Sequence, residues 1–203
     1  VETDTDIKIT AIKLPPKQEK PKENLPPPPP PAPVKSIGNS TTTPRDLEND
    51  LDVWIIQIAL AESVAARLRK HGFKCKTVEI TVRDNGLYSF SRQIHLRQPT
   101  NITNEIVTAA FQLFKDNYKW EHPIRSLGIR AADLVLDDIP VQLDLFGNQE
   151  KKEKLEKLDR TVDEIRRRFG YFSIQRAAMY QDKVLSHLEA GTHTVHPHSY
   201  FHG

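Results

Sequence analysis

Cysteine is nearly missing: Cys75 is the only one in 203 residues. A single thiol excludes an intrachain disulfide framework and any multi-cysteine zinc site. It suits a reducing compartment, so a cytoplasmic location is expected. Long apolar runs are missing too. No window reaches eighteen consecutive apolar residues, and the opening Val1-Glu2-Thr3-Asp4 has neither a basic n-region nor an apolar h-region. Neither a membrane span, a signal peptide nor a membrane partner is therefore expected. Net charge is also close to absent, at +2. Without a global field, attraction to a polyanion has to come from how basic groups are arranged rather than from their sum. Methionine is as scarce as cysteine. Met179 is the only one and Val1 comes first, which leads to the expectation that sequence upstream of Val1 has been removed.

Proline, by contrast, is plentiful and uneven: ten of the fifteen prolines precede residue 34. Residues 15 to 34 contain Pro15-Pro16, Pro21, the run from Pro26 to Pro31, and Pro33. Fixed φ and few amide donors make this stretch a semi-rigid polyproline spacer. A ligand for a PxxP-binding domain is the other reading. Ahead of it, Asp6 to Leu14 alternates partly like a strand but is too short to fold alone. The apolar share of 37% is concentrated in the middle of the chain, so one domain with flanking material is expected.

After the spacer, Ser36-Ile37-Gly38-Asn39-Ser40-Thr41-Thr42-Thr43 is rich in hydroxyls and branched residues and reads as a first strand, which Pro44 and Asp46 stop. Asn49 can cap a helix whose first turn holds Asp50 and Asp52, with Leu51, Trp54, Ile55, Ile58, Ala61, Ala65 and Leu68 at helical spacing. Gly72 ends it. The last turn carries Arg67, Arg69 and Lys70, which complement the helix dipole or face a polyanion. Lys76 to Arg83 alternates with period two, Asp84-Asn85-Gly86 is a hairpin turn, and a third strand runs from Tyr88 to Leu96. Pro99-Thr100-Asn101 starts a second helix with Ile102, Ile106, Ala109, Ala110 and Leu113 inward. Pro123 to Arg130 is the fourth strand. The order is β-α-β-β-α-β, an α+β fold in which two helices cover one face of a four-stranded sheet and leave the other open.

Val78, Ile80 and Val82 should point to the helices, which sends Thr77, Glu79, Thr81 and Arg83 outward. In the third strand Phe90, Arg92 and Ile94 share one parity and Ser89, Ser91, Gln93 and His95 the other, so pattern leaves the side of Arg92 open. An open face of hydroxyls and scattered arginines suits hydrogen bonds to phosphate oxygens. It lacks the exposed aromatic pair on which an RNA-recognition sheet stacks bases. A plain solvated face is the alternative.

Beyond the fourth strand, Gln142-Leu143-Asp144-Leu145-Phe146 packs three large apolar groups and a glutamine between turn signals. An extended peptide of this kind can fill a partner's pocket, or it can cap the domain's own hydrophobic edge. Leu155, Leu158, Val162, Ile165 and Phe169 form one apolar stripe on a charged helix, which must dock on this domain, on missing parts of a parent, or on a second copy. The composition beyond Gly170 reads as flexible, and the cluster His193, His196, His198 and His202 could hold a transition metal only as a minor reading.

Taken in order, several motifs resemble the little-finger domain of Y-family DNA polymerases over roughly residues 35 to 136. They are Lys35-Ser36-Ile37-Gly38, the helix end from Ala65 to Gly72, Lys76-Thr77-Val78, Ser91-Arg92, and the run Pro123-Ile124-Arg125-Ser126-Leu127-Gly128-Ile129. Gln142 to Phe146 resembles the pentapeptide by which bacterial members bind the sliding clamp. Asp163 to Gly170 and His196-Pro197 are similar to the tail of the UmuC/DinB-like branch seen in Gram-positive bacteria and their mobile elements. The resemblance implies a translesion polymerase in which this domain grips the template–primer duplex across its major groove through backbone contacts. A separate upstream palm would carry out nucleotidyl transfer in DNA repair. It implies phosphate contacts at Lys35, Ser36, Ser40 and Thr42 on strand one, Arg83 on strand two, Ser91 and Arg92 on strand three, and Arg125 and Arg130 on strand four. Arg92 and Ser36 follow the family pattern most closely, whereas Thr42, Arg83 and Arg130 rest more on strand alternation.

The sequence departs from the family in showing no palm carboxylates, fingers or helix-hairpin-helix thumb. Asp137-Asp138 has no third carboxylate at useful spacing and reads as a pair of solvated turn acids. No catalytic residue and no cofactor are therefore expected in this chain, Mg2+ belonging only to a palm, and the parent is expected to be a DNA-directed DNA polymerase. The implied organisation is a linker over 1–34, the DNA-binding little finger over 35–136, a clamp-binding linker over 137–149, and a C-terminal helix with a flexible tail over 150–203. A reading from another class keeps the same motifs: a non-catalytic adaptor that bridges proteins through the proline segment and the pentapeptide.

Overall fold

The computed structural model describes residues 34–138 and 149–188. Strand β1 (Ser36–Leu47) buries Ile37, Asn39, Thr41 and Thr43 in strict alternation. Pro44, expected to stop it, instead sits inside a register shift between Thr42 and Leu47. β1 is an edge strand, where a residue without an N–H is tolerated. The irregularity is pinned from the neighbouring strand. Thr43 Oγ1 donates to the Arg125 carbonyl and Arg125 Nη1 donates to the Thr43 carbonyl, each at 3.0 Å.

Helix α1 (Asp50–Lys70) begins as its sequence dictates, the Asn49 side chain accepting from the Asp52 amide at 3.0 Å, and Gly72 at φ +68° lets the chain leave it. Its buried residues run almost without a break from Asp52 to Ala65, so it is covered on more than one side. Strands β2 (Phe73–Asp84) and β3 (Ser89–Thr100) follow. The turn between them puts Leu87, not Asn85 or Gly86, in the left-handed region. Asp84 closes it by accepting the Tyr88 amide on its side chain, at 3.0 Å. β3 runs through Pro99 because it is the other edge of the sheet. Helix α2 (Thr103–Asn117) therefore starts later than Pro99-Thr100-Asn101 suggests, and β4 (Ile124–Leu136) completes the sheet. Strand order is β1-β4-β2-β3, antiparallel throughout. The β-α-β-β-α-β, α+β expectation holds, with Phe114, Leu60, Ile80 and Ile129 among the fully buried core.

A further layer closes over α1. Helix α3 (Gln149–Phe169) is followed by 3-10 turns at Tyr171–Ser173 and Ala177–Gln181 and a short helix α4 (Lys183–Ser186). The segment after Gly170, read as flexible from its composition, is ordered to Leu188, and Met179, Leu185 and Leu188 join the core. The apolar stripe of α3 contributes little, since Leu158 and Phe169 are exposed and Asp159 is the only buried residue of the helix. Carboxylates and guanidiniums dock it instead. Arg69 of α1, 5% exposed at its side chain, reaches Asp159 at 3.2 Å and Asp163 at 2.6 Å and donates to the Asn101 carbonyl at 2.7 Å. Ile102, at the start of α2, offers no capping side chain, and Asp159 supplies the cap from α3 by accepting the Thr103 amide at 2.7 Å. Glu62 of α1 is held by Arg166 and Arg176, each at 2.9 Å.

Two predictions follow from this docking. Arg69→Met keeps bulk but removes the guanidinium shared by Asp159 and Asp163, leaving Asp159 only the Thr103 amide and Arg176 at 3.4 Å, and should cost about 3 kcal/mol in urea unfolding. A loss under about 1 kcal/mol would contradict a structural role for the pair. The second concerns Arg45, which bridges Asp52 and Asp182, each at 2.7 Å. Burial pushes the Asp52 carboxyl up, but bonds from Arg45 and the Glu48 amide outweigh it. Arg45 and the Leu185 amide draw Asp182 down, so both carboxyls lie below their ordinary value. Depressed folded values stabilise fully above about pH 4 and lose that effect as pH falls through them. The Leu185 methyl resonances should thus report release of α4 in acid, and Arg45→Gln should move that release to higher pH. Coincident acid transitions in the two proteins would contradict the bridge.

Candidate nucleic-acid interface

The register of the four strands makes the uncovered face a grid of four rows. Across β1, β4, β2 and β3 these are Ser36, Ala132, Thr77 and His95; then Gly38, Arg130, Glu79 and Gln93; then Ser40, Gly128, Thr81 and Ser91; then Thr42, Ser126, Arg83 and Ser89. Half of these positions carry a hydroxyl, none a phenylalanine, tyrosine or tryptophan, and the His95 imidazole is the one ring among them. The floor is low at its centre. A Cβ on Gly128 would lie 3.1 Å from Ser40 Cβ and 3.5 Å from Thr81 Cβ, so glycine there lets the flanking hydroxyls close over β4. Gly38 does the same for Arg130, whose Cβ would lie 3.2 Å from an added methyl. Thr81 and Ser91 hydroxyls meet at 3.1 Å, and Ser126 Oγ donates to the Thr41 carbonyl at 2.9 Å.

Two guanidiniums stand on this floor. Arg130 is paired with Glu79, its Nε donating at 3.1 Å. Arg83 is exposed, has no hydrogen-bond or ion-pair partner among the described residues, and shares its row with the hydroxyls of Thr42, Ser126 and Ser89. An unneutralised guanidinium beside hydroxyl donors is suited to phosphate oxygens.

Of the residues singled out from sequence, Ser36, Ser40, Thr42, Arg83, Ser91 and Arg130 share this face. Arg125 lies at its border, held at the β1 irregularity. Lys35 is exposed immediately ahead of β1, with the parity of the covered face. Arg92 is separated from the set. It pairs with Ile80 in the register, lies 5.5 Å over the Phe90 ring and donates to Asn117 of α2 at 3.2 Å, so it stands on the helix side of the edge strand. Sequence reasoning left Thr81, Ser89 and Ser126 out of the site, although their parity with Arg83 and Ser91 carries the signal. The basic last turn of α1 is largely consumed internally: Arg67 donates to the Gly38 carbonyl at 2.7 Å and Arg69 enters the α3 network. Burial pushes the Cys75 thiol up to about 12, which leaves it an inert core group.

Gln142 to Phe146, the prolines before residue 34 and the histidine cluster from His193 to His202 lie outside the described residues. Among the described residues, no group of three or more His, Cys, Asp and Glu side chains is placed to hold a metal ion, and no helix is long and apolar enough to cross a membrane.

The sheet, its helix cover and its polar open face define an α+β domain with one sheet face left uncovered. Residues 34–145 match the impB/mucB/samB family C-terminal domain, and the chain belongs to that family, the C-terminal little finger of Y-family DNA polymerases. It is 45% identical over 156 residues to a DNA polymerase IV of Acetivibrio thermocellus, covering 77% of this chain and 39% of that protein. DNA polymerase IV 2 of Bacillus subtilis is 36% identical over 148 residues, with 71% and 35% covered. DNA polymerase IV of Pelotomaculum thermopropionicum is 34% identical over 144 residues, again with 71% and 35% covered. The chain thus spans 35% to 39% of the length of these relatives. A solved chain described as "Complex of beta-clamp processivity factor and little finger domain of PolIV" overlaps 55% of this chain and 99% of its own length, at 15% identity and a TM-score of 0.43.

Proposed function

We propose that this domain grips the template–primer duplex of a translesion DNA polymerase by its open sheet face, touching phosphates rather than bases. Nucleotidyl transfer belongs to a polymerase core outside this chain. The observation that carries the reading is the hydroxyl-and-guanidinium grid, shallow at Gly128 and without phenylalanine, tyrosine or tryptophan. Donors without base-reading geometry position a duplex and do not select its sequence. Four strands about 4.8 Å apart make a face roughly 15 Å across, close to the major groove's width of about 12 Å with its bordering phosphates. Ser36, Ser40, Thr42, Thr81, Arg83, Ser91, Ser126 and Arg130 are the contacts this reading uses. Lys35, Arg92 and Arg125 stand at or beyond its margin. Membership of a family whose relatives are DNA polymerases supports it.

Arg83→Ala should weaken binding to unrelated duplexes about equally, by about 1–2 kcal/mol, and lower the salt slope by about one unit. Glu79→Gln should act oppositely, because it releases Arg130 and removes a negative charge from the face. Both are read by fluorescence anisotropy over a salt series. A loss confined to particular sequences in Arg83→Ala, or weaker binding in Glu79→Gln, would contradict a backbone grip.

The same reading assigns Gln142-Leu143-Asp144-Leu145-Phe146 to the bacterial sliding clamp, supported by its likeness to the pentapeptide of bacterial family members. The proline-rich 1–34 then serves as a tether and 137–149 as the clamp-binding linker. Replacing Leu145 and Phe146 by alanine should abolish binding to a purified clamp and leave duplex affinity unchanged. Retained clamp binding would remove the assignment.

A further inference from the structure

One corner of the open face holds a short hydrogen-bond chain. Thr77 Oγ1 lies 2.8 Å from His95 Nδ1 and 2.5 Å from Asp133 Oδ2. A carboxylate only accepts, and a threonine hydroxyl has one hydrogen, so that hydrogen goes to Asp133. Thr77 Oγ1 must then accept from Nδ1. This fixes a proton on Nδ1 and leaves Nε2 as the free ring nitrogen. The arrangement is not a hydrolytic triad: the hydroxyl is spent on the carboxylate, and Thr77 is only 3% exposed. What it achieves is orientation of an imidazole whose side chain is 68% exposed. Asp133 reaches Thr77 from a left-handed backbone at φ +52°, a conformation uncommon for a residue other than glycine and one that persists where surrounding contacts hold it.

We propose that Thr77, His95 and Asp133 form a proton-coupled phosphate site, in which His95 Nε2 donates to a phosphodiester oxygen when the ring is imidazolium. The phosphodiester as ligand rests on the reading of this face as a duplex grip. With Nδ1–H committed to Thr77, a neutral ring presents only a lone pair at Nε2, which repels a phosphate oxygen. Uptake of one proton there creates a donor and a positive charge in a single step, and Asp133, 3.9 Å from Nδ1, balances that charge from behind. The other charged groups nearby are the Glu79–Arg130 pair in the adjoining row, Lys76 beside Thr77 on β2, and Arg97 two residues along β3. Lys76 and Arg97 attract phosphate whether or not the imidazole is charged, so they do not produce a proton dependence. His95 therefore makes this part of the grip tighten when its ring takes up a proton.

The test compares binding of a short duplex at about pH 6 and about pH 8 for the unaltered protein, His95→Gln and Thr77→Val. Separately, inorganic phosphate is titrated while the His95 ring nitrogens are followed by NMR. The unaltered protein should bind the duplex several-fold more tightly at the lower pH. His95→Gln should lose that difference while keeping its affinity at the higher pH, Thr77→Val should lose part of it, and phosphate should shift Nε2 toward its imidazolium position. A pH difference undiminished in His95→Gln, or a ring that ignores phosphate, overturns the site. If the duplex binds at neither pH while the ring still responds to phosphate, the anion site stands and the duplex reading of the face fails.

Discussion

Strand β2 lies between β4 and β3, and its pairing with both fixes which side chains meet the helices and which meet solvent. Because side chains alternate along a strand, a slip of one residue would bury Thr81 and Arg83 and expose Ile80 and Val82. The core therefore enforces the composition of the open face. Val78, Ile80 and Val82 are fully buried against the helices, and in the same register their neighbours align with hydroxyls from three other strands. Glycine matters at only a few points. Gly128 sits where two hydroxyl-bearing Cβ atoms come together across β4, which is why the centre of the face is a shallow floor.

A second constraint follows from burying α1 on more than one side. The helix carries Glu62 and Arg69 into the layer under α3, and neither can be left there without a counterion. Asp159, Asp163, Arg166 and Arg176 supply the opposite charges from the C-terminal segment, so that segment is positioned by polar complementarity more than by its apolar stripe. The near-zero net charge has a physical counterpart here. Many of the arginines are neutralised inside the fold, and the open face keeps Arg83 as a guanidinium without a carboxylate partner among the described residues.

Much of the fold was legible because its signals are local. The Asn49 cap, Gly72 after α1, and the alternation of Val78, Ile80 and Val82 are all written within a few residues. Pro44 and Pro99 misled because their effect depends on whether a strand lies at a sheet edge, which is a property of the assembled sheet. The side of Arg92 was undecidable from parity alone, since it depends on how the turn after Asp84 sets the register. The trans cap from Asp159 to Thr103 joins residues 56 apart and leaves no local trace. The Thr77, His95 and Asp133 corner was equally hidden, because it needs three strands and a left-handed residue to assemble.

The proposed grip requires duplex DNA on the open face, away from α3 and the C-terminal turns. Amide chemical-shift mapping of the isotope-labelled chain with a short primer–template duplex tests that division most directly. A duplex held there shifts Ser40, Thr81, Arg83, Ser91, Ser126 and Gly128 and leaves α3 and the outer surface of α2 unmoved. Shifts centred on Arg92, Asn117 and the helices, with the grid silent, would contradict it.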